Sequence, residues 1–328
     1  MKKFKRIAAL AMAGLMAVGM CACSSSNKKK EDGTYTVGIC QLVEHPALDA
    51  ATKGFKDALT EKLGDKVTFE EKNAQNDTET CATIVNGFVS SKVDLMLANA
   101  SPALQAAVAA TNSIPILGTS VTEYGVALDI KDFKGTTGYN VSGTSDLAPL
   151  DEQAKMIKDI FPDAKKVGLL YCSAEANSLY QVEVVAEELE KLGIESKAFP
   201  FADSNDIINV TTTAAEYSDV IYVPTDNTVA ENTSAIYNVC MADDVMVPVI
   251  AGESGICSGC GVATLSIDYY DLGFKTGEMA YEILVNGADI STMEIAYAPK
   301  FTKKYNKQIA DKFGVTLPEE YEVIEGTN

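Results

Sequence analysis

Seven short segments of this chain place hydroxyl, amide and carboxylate side chains directly after apolar runs. They are Gln41 to His45, Ala98 to Ser101, Gly118 to Glu123, Ser173 to Ser178, Pro224 to Asn227, Gly252 to Ser254, and Asp268. Groups of these types can hold a small polar solute by hydrogen bonds and charge, although surface loops are polar in any protein. The devices of catalysis are missing. There is no Gly-x-Ser-x-Gly elbow, no Walker lysine loop, and no Gly-x-Gly-x-x-Gly after the first apolar run. The single histidine, His45, has no neighbours that suggest a Ser-His pair. Cys257-Ser258-Gly259-Cys260 reads as a small disulfide or a redox pair, because a zinc site needs two further ligands at related spacing. Cys40 and Cys172 end apolar runs and read as small buried residues. The expected chemistry is binding, not catalysis, with no cofactor and no metal.

The elements that must position these residues are legible from the pattern. From Tyr35 onward, short apolar runs alternate with amphipathic stretches of ten to fifteen residues, the signature of βα units on a parallel sheet. Strands are expected at Tyr35 to Leu42, Val67 to Asn73, Val93 to Ala98 and Pro115 to Gly118, and a helix at Pro46 to Leu63 with proline in its first turn. The grammar then restarts. Val37-Gly38-Ile39-Cys40 is matched by Val167-Gly168-Leu169-Leu170, Asn76-Asp77 by Asn205-Asp206, and Val93-Asp94-Leu95-Met96 by Asp219-Val220-Ile221-Tyr222. This repeat predicts an α/β fold of two similar doubly wound parallel-sheet lobes with a hinged cleft. Ligands of such sheets bind beyond the carboxyl ends of the strands, so the polar segments of both halves would feed one site.

The first residues, Met-Lys-Lys-Phe-Lys-Arg, precede an apolar run from Ile7 to Met20 that is too short for a confident membrane span. The following Met20-Cys21-Ala22-Cys23-Ser24 resembles a bacterial lipobox. That resemblance implies a signal peptide over 1–22 and acylation of Cys23 (a palmitate-type anchor), with a flexible tether over 23–34. Removing the leader takes four of the 27 basic residues and none of the 46 acidic ones, which argues against a nucleic-acid partner. The one arginine, Arg6, lies in the leader. No guanidinium fork is therefore left to hold a carboxylate, and hydroxyls, lysine or helix N-termini must do so.

Several stretches together resemble the type I periplasmic-binding-like proteins of ABC transporters, in the group containing tryptophan- and tyrosine-binding lipoproteins. They are Glu44-His45-Pro46-Ala47-Leu48-Asp49, Ser101-Pro102-Ala103-Leu104-Gln105, Glu175-Ala176-Asn177-Ser178, Tyr222 to Val229, Val249 to Glu253, and Ile267 to Gly273. The resemblance implies three crossings between lobes, with 35–140 plus 268–287 in the first lobe and 141–267 plus 288–328 in the second. It implies an extracytoplasmic, lipid-anchored monomer that captures a small amino acid, aromatic by preference, for an ABC permease and ATPase.

The resemblance also implies that the ligand carboxylate lies against the first lobe. Ser101, at a helix start where free N–H groups favour an anion, fits that role with Thr119 and Ser120, although Ser101 also reads as a plain N-cap. Asp226 and Glu253, each directly after a second-lobe strand, would take the ammonium. Asn177, Ser178, Asn227 and Asp268 would add hydrogen bonds, or cap the helices they precede. Gln41 and His45 lie at the first lobe's mouth, where the imidazole would cover an aromatic ring or stand simply as a surface residue before Pro46. Tyr171, Tyr124 and Tyr139 are candidate pocket walls. A branched-chain amino acid, a nucleoside held by Asp226 and Asn227, a sugar, or a receptor role reporting to a membrane sensor remain as alternatives.

Overall fold

The computed structural model describes residues 33–326. The expected signal segment, Cys23 and residues 24–32 of the tether lie outside the described residues. In chain order the strands are β1 (Tyr35–Gln41), β2 (Val67–Asn73), β3 (Leu95–Asn99), β4 (Ile116–Val121), β5 (Val141–Ser145), β6 (Lys166–Cys172) and β7 (Glu195–Phe201). They continue as β8 (Val220–Val223), β9 (Val249–Ala251), β10 (Ala263–Ser266), β11 (Ala296–Tyr297), β12 (Thr302–Tyr305) and β13 (Glu322–Val323).

Two sheets result, ordered β11-β5-β4-β3-β1-β2 and β13-β12-β10-β9-β8-β6-β7. Every pairing is parallel except β10 with β12. The reason is visible in the residues. Central strand β3, Leu-Met-Leu-Ala-Asn, is buried along its whole length, as a strand covered by helices on both faces must be. Edge strand β2 carries Glu70, Glu71 and Lys72 in largely exposed positions, and such charges discourage pairing with a further strand.

The lobe boundary differs from the expectation. The second lobe was to begin at 141, yet β5 completes the first sheet, with Ile116 opposite Val141 and Gly118 opposite Gly143. Val141-Ser142-Gly143-Thr144-Ser145 is too polar to announce a strand by its apolar content. It fits because Gly143, at φ +145°, brings its backbone against that of Gly118; a Cβ there would lie 2.0 Å from the Gly118 carbonyl oxygen. The segment after 288 also stays with the first lobe until β11, which pairs with β5 through Ala296 and Thr144.

The helix Tyr269–Leu284 returns to the first lobe and packs on the helix Pro46–Leu63. Glycines allow the backbones to meet. A Cβ on Gly273 would lie 1.9 Å from the Ala51 carbonyl oxygen, and one on Gly54 would lie 2.1 Å from that of Tyr270. Phe55, Leu59, Ala280 and Ile283 are fully buried in the core beneath, the large ones each contributing about 1.5–3 kcal/mol of transfer free energy.

Candidate ligand-binding site

The carboxyl ends of the two sheets face one another. His45, four residues past β1, meets Asn227, four past β8, with Nε2 3.2 Å from Oδ1. Tyr269, three past β10, donates its hydroxyl to Asp146, the residue after β5, at 2.9 Å. Asn76, three past β2, donates its Nδ2 to Thr228 Oγ1 at 3.1 Å. Between these contacts lies a narrow pocket, with a cavity volume of about 10 Å³. The first lobe supplies His45, Leu48, Ser120, Thr122 and Asp146; the second supplies Asn177, Thr225 and Asn227; Tyr269 stands at a crossing.

The lining is polar and incompletely paired. Among the described residues, six buried side-chain polar atoms have no hydrogen-bond partner, and four of them belong to this pocket: His45 Nδ1, Ser120 Oγ, Asp146 Oδ1 and Asn177 Oδ1. Leaving such atoms unmatched costs roughly 1–3 kcal/mol each, and the four come from both lobes, which makes this pocket the candidate site for a polar ligand. Ser120 is also held at φ 54°, a left-handed conformation disfavoured for a residue with a Cβ and characteristic of ligand clamps.

Asp146 is the pocket's carboxylate. Burial pushes its carboxyl above the usual range, and the Tyr269 hydroxyl opposes part of that shift. An ammonium beside Oδ1 would supply the missing charge partner.

At the other end Glu175, buried just before the helix Ala176–Lys191, organises the second lobe's contribution. Its Oε2 accepts from the Asn227 backbone N–H at 3.1 Å, Asn227 Nδ2 at 2.6 Å and Asn177 Nδ2 at 3.3 Å. Its Oε1 accepts from the Thr228 N–H and hydroxyl, both at 2.9 Å. Asn177 Nδ2 also donates to the Thr225 carbonyl at 3.0 Å. One carboxylate therefore sets Asn227 and Thr228, both of which touch the first lobe.

Of the residues expected from sequence, His45, Ser120, Asn177 and Asn227 line the pocket. Seven others do not. Gln41 is consumed by internal contacts, donating to Val43 O and Asp49 Oδ1 and accepting from Thr52. Thr119 turns inward to Thr144 at 3.2 Å. Ser101 is buried in the first turn of Ser101–Ala110 and adds no side chain to the lining. Asp226 caps the short helix after it, accepting from Val229 N at 2.8 Å, while its other oxygen accepts from Cys172 N at 2.7 Å. Burial, and then the Glu175 carboxylate, push its carboxyl up to about 8. Ser178 sits behind it, its hydroxyl favouring the Asp226 charge. Glu253 likewise accepts from Gly255 N and Ile256 N. Asp268 is exposed and caps Tyr269–Leu284 through Asp271 N. For Asp226, Glu253 and Asp268 the helix-start position that drew attention to them is the position at which a carboxylate serves as an N-cap.

The tyrosines also differ from expectation. Tyr124 is buried with its hydroxyl on Thr144 O at 3.1 Å, and Tyr171 and Tyr139 pack into the lobe cores. The pocket's tyrosine is Tyr269. Thr122, Thr225 and Glu175 fall inside the polar segments singled out in the sequence but carry no individual role there; Asp146 lies outside them, because Val141–Ser145 does not read as a strand whose end feeds the cleft. Cys257 and Cys260 are free thiols directed at the carbonyls of Gly261 and Ile256 within their own helical turn.

The comparisons with known proteins agree with this architecture, which is that of type I periplasmic binding proteins. The tyrosine-binding protein of Clostridioides difficile (strain R20291) is 38% identical over 297 residues, covering 87% of this chain and 85% of that one. The ABC domain in complex with L-Trp from Streptococcus pneumonia has 32% identity and a TM-score of 0.82, covering 88% of this chain and 100% of that one. A ligand-free, open substrate binding protein with adhesive properties from Clostridium difficile has 37% identity but a TM-score of 0.68, covering 89% and 99%. The shape is thus nearer to the L-Trp complex although the sequence is nearer to the open protein, in keeping with the contacts across the cleft. Residues 36–326 match the family described as ABC transporter substrate binding protein, and this chain belongs to that family.

Proposed function

We propose that this chain captures an aromatic L-amino acid outside the cytoplasm and delivers it to the permease and ATPase of an ABC importer. The carrying observation is the set of partnerless polar atoms from both lobes around a single carboxylate. In this reading Asp146 Oδ1 takes the ammonium, Ser120 and the loop to Thr122 take the carboxylate, and His45, Leu48 and Asn177 surround the ring. Relatives that bind tyrosine and L-Trp support the ligand class. A branched-chain ligand fits poorly, since Leu48 is the only aliphatic side chain in the lining. A nucleoside loses the Asp226 carboxylate, which is occupied by backbone donors.

The chain works as a monomer tethered through lipid on Cys23, a reading supported by the lipobox-like sequence and the polar residues behind it. Titration calorimetry of the ligand-stripped protein against the twenty amino acids, nucleosides and simple sugars tests the binding assignment. Binding confined to nucleosides or sugars overturns it. Thermal shifts give a second readout, because ligand at 100 times its dissociation constant adds about 2.7 kcal/mol of stability. Metabolic labelling with a fatty acid, lost in Cys23→Ala, tests the anchor.

A further inference from the structure

Two thiols of the first lobe, Cys40 and Cys81, meet in its core, and the backbone around them fixes the meeting. Along β1, Gly38 and Cys40 point to the same face of the sheet. A Cβ on Gly38 would lie 2.6 Å from the Phe88 ring, so the helix Thr78–Ser91 covers that face. Cys81, Val85 and Phe88 recur at helical spacing along it and are all buried. The helix joins β2 to β3, both parallel to β1, and therefore runs opposite to β1. With Phe88 over Gly38, Cys81 lies two turns back toward the carboxyl end of β1, over Cys40. The Ala74 N–H donates to the Gln41 carbonyl at 2.9 Å and the Asn76 N–H to that of Leu42 at 2.8 Å, which ties the start of the helix to the end of the strand.

The two side chains are in contact. The Cys40 thiol donates a hydrogen bond to the Cys81 sulfur, which pushes the Cys81 thiol below its ordinary value and the Cys40 thiol above it. Cys81 is thus the sulfur that ionises first, and a thiolate is the attacking species in disulfide exchange. Three other thiols turn instead to backbone carbonyls: Cys172 to Ala202, Cys257 to Gly261 and Cys260 to Ile256. Cys40 and Cys81 are free in this structure, but this family works outside the cytoplasm, where disulfides form and persist.

We propose that Cys40 and Cys81 are a disulfide-forming pair that, once oxidised, locks β1 to the helix Thr78–Ser91 and braces two loops by which the first lobe meets the second. His45 follows β1 and Asn76 precedes the helix, and these residues contact Asn227 and Thr228 across the cleft. The oxidant is a small-molecule disulfide such as glutathione disulfide. The Cys81 thiolate attacks one of its sulfurs, forming a mixed disulfide and releasing one glutathione thiolate. Cys40 then loses its proton and attacks the Cys81 sulfur, releasing the second. Two cysteine thiols become one disulfide, glutathione disulfide is reduced to two thiols, and each released thiolate takes up a proton that one cysteine gave up. Cys40 and Cys81 are 1% and 0% exposed, so the exchange takes place as the chain folds, before the lobe closes over them.

The test is refolding of the urea-unfolded chain in a mixture of reduced and oxidised glutathione, followed by alkylation under denaturing conditions and non-reducing peptide mass mapping. The expected result is a peptide pair linked through Cys40 and Cys81. Recovery of both as alkylated thiols, or of either joined to a different cysteine, overturns the proposal. Because the bond closes residues 40–81 into a loop, the oxidised chain is expected to denature about 5 °C or more above the same chain kept in reductant. Equal midpoints overturn the lock. Cys81→Ala is expected to lose this dependence on reductant, whereas Cys257→Ala keeps it. Hydrogen exchange reads the brace: the Ala74 and Asn76 amides are expected to exchange about tenfold more slowly in the oxidised chain, and equal rates overturn the bracing. No ligand enters these measurements, so their failure leaves the amino-acid reading intact.

Discussion

Glu175 holds Asn227 twice, accepting from its backbone N–H at 3.1 Å and from its side-chain Nδ2 at 2.6 Å. Neither residue belongs to the first lobe, yet the pair governs how the first lobe is met, since Asn227 faces His45 and the neighbouring Thr228 receives Asn76. Replacing Glu175 by alanine should free both residues and weaken the closed arrangement. Affinity for the amino acid is expected to fall about tenfold or more, since hydrogen bonds to a charged group contribute about 1.5–3 kcal/mol. Solution scattering should show the variant more extended than the native chain at equal subsaturating ligand; unchanged affinity and unchanged dimensions would remove Glu175 from this role.

Asp146 links binding to pH. Its carboxyl is raised by burial in the free protein, and an ammonium ligand favours the ionised form, so proton uptake competes with binding. Affinity is expected to fall as the pH drops through the raised value, approaching about tenfold per pH unit. Asp146→Asn should flatten that profile and weaken binding by about tenfold or more. A native profile with no acid limb would count against the assignment.

Asp226 links stability to pH with its own sign. The folded carboxyl is pushed up to about 8, whereas the unfolded chain titrates near 4. Between those values the folded state binds more protons than the unfolded one, so the contribution is fully present below about pH 4 and is lost as the pH rises toward about 8. Urea unfolding at about pH 5 and about pH 8 is expected to show the loss. Glu175→Gln, which removes the neighbouring charge that is the second cause of the shift, should reduce the slope; an identical slope in the variant contradicts the assignment.

Gly273→Ala should damage the first lobe without touching the pocket. The added methyl would lie 1.9 Å from a carbonyl oxygen belonging to Ala51, and backbone is slow to yield. A loss of about 1–3 kcal/mol is expected, read as a lowered denaturation midpoint with little change in the affinity of the protein that remains folded.

Much of this architecture could be read in the residues. The alternation of apolar runs and amphipathic stretches identified the two lobes, and the near repeat of Val37 to Cys40 in Val167 to Leu170 located corresponding first strands, β1 and β6. Of the loops that the pattern points to, those after β1, β4, β6 and β8 line the pocket through His45, Ser120, Asn177 and Asn227. The acids were harder. A carboxylate directly after a strand and before a helix has two outlets, a ligand or the helix's own free N–H groups, and spacing is the same for both. Asp226 and Glu253 turn to the helix, whereas Asp146 precedes a loop ending in Pro149 and has no cap to make in the same way. Only the tertiary arrangement distinguishes them.

The Asp146–Tyr269 contact ties together two of the three places where the chain passes from one lobe to the other: the stretch between β5 and Leu150, and the stretch between β10 and the helix Tyr269–Leu284. A rotation of one lobe against the other about these passages would move Asp146 little and separate the contacts at the β1 and β2 side, His45 with Asn227 and Asn76 with Thr228, much further. The pocket therefore has a short and a long lever arm. In the proposed binding mode a ligand's charged head would meet groups close to the passages, and its side chain would meet the residues that part furthest. Holding and checking would then be divided along a single molecule of ligand, with the check placed where a poor fit has a long lever for keeping the lobes apart.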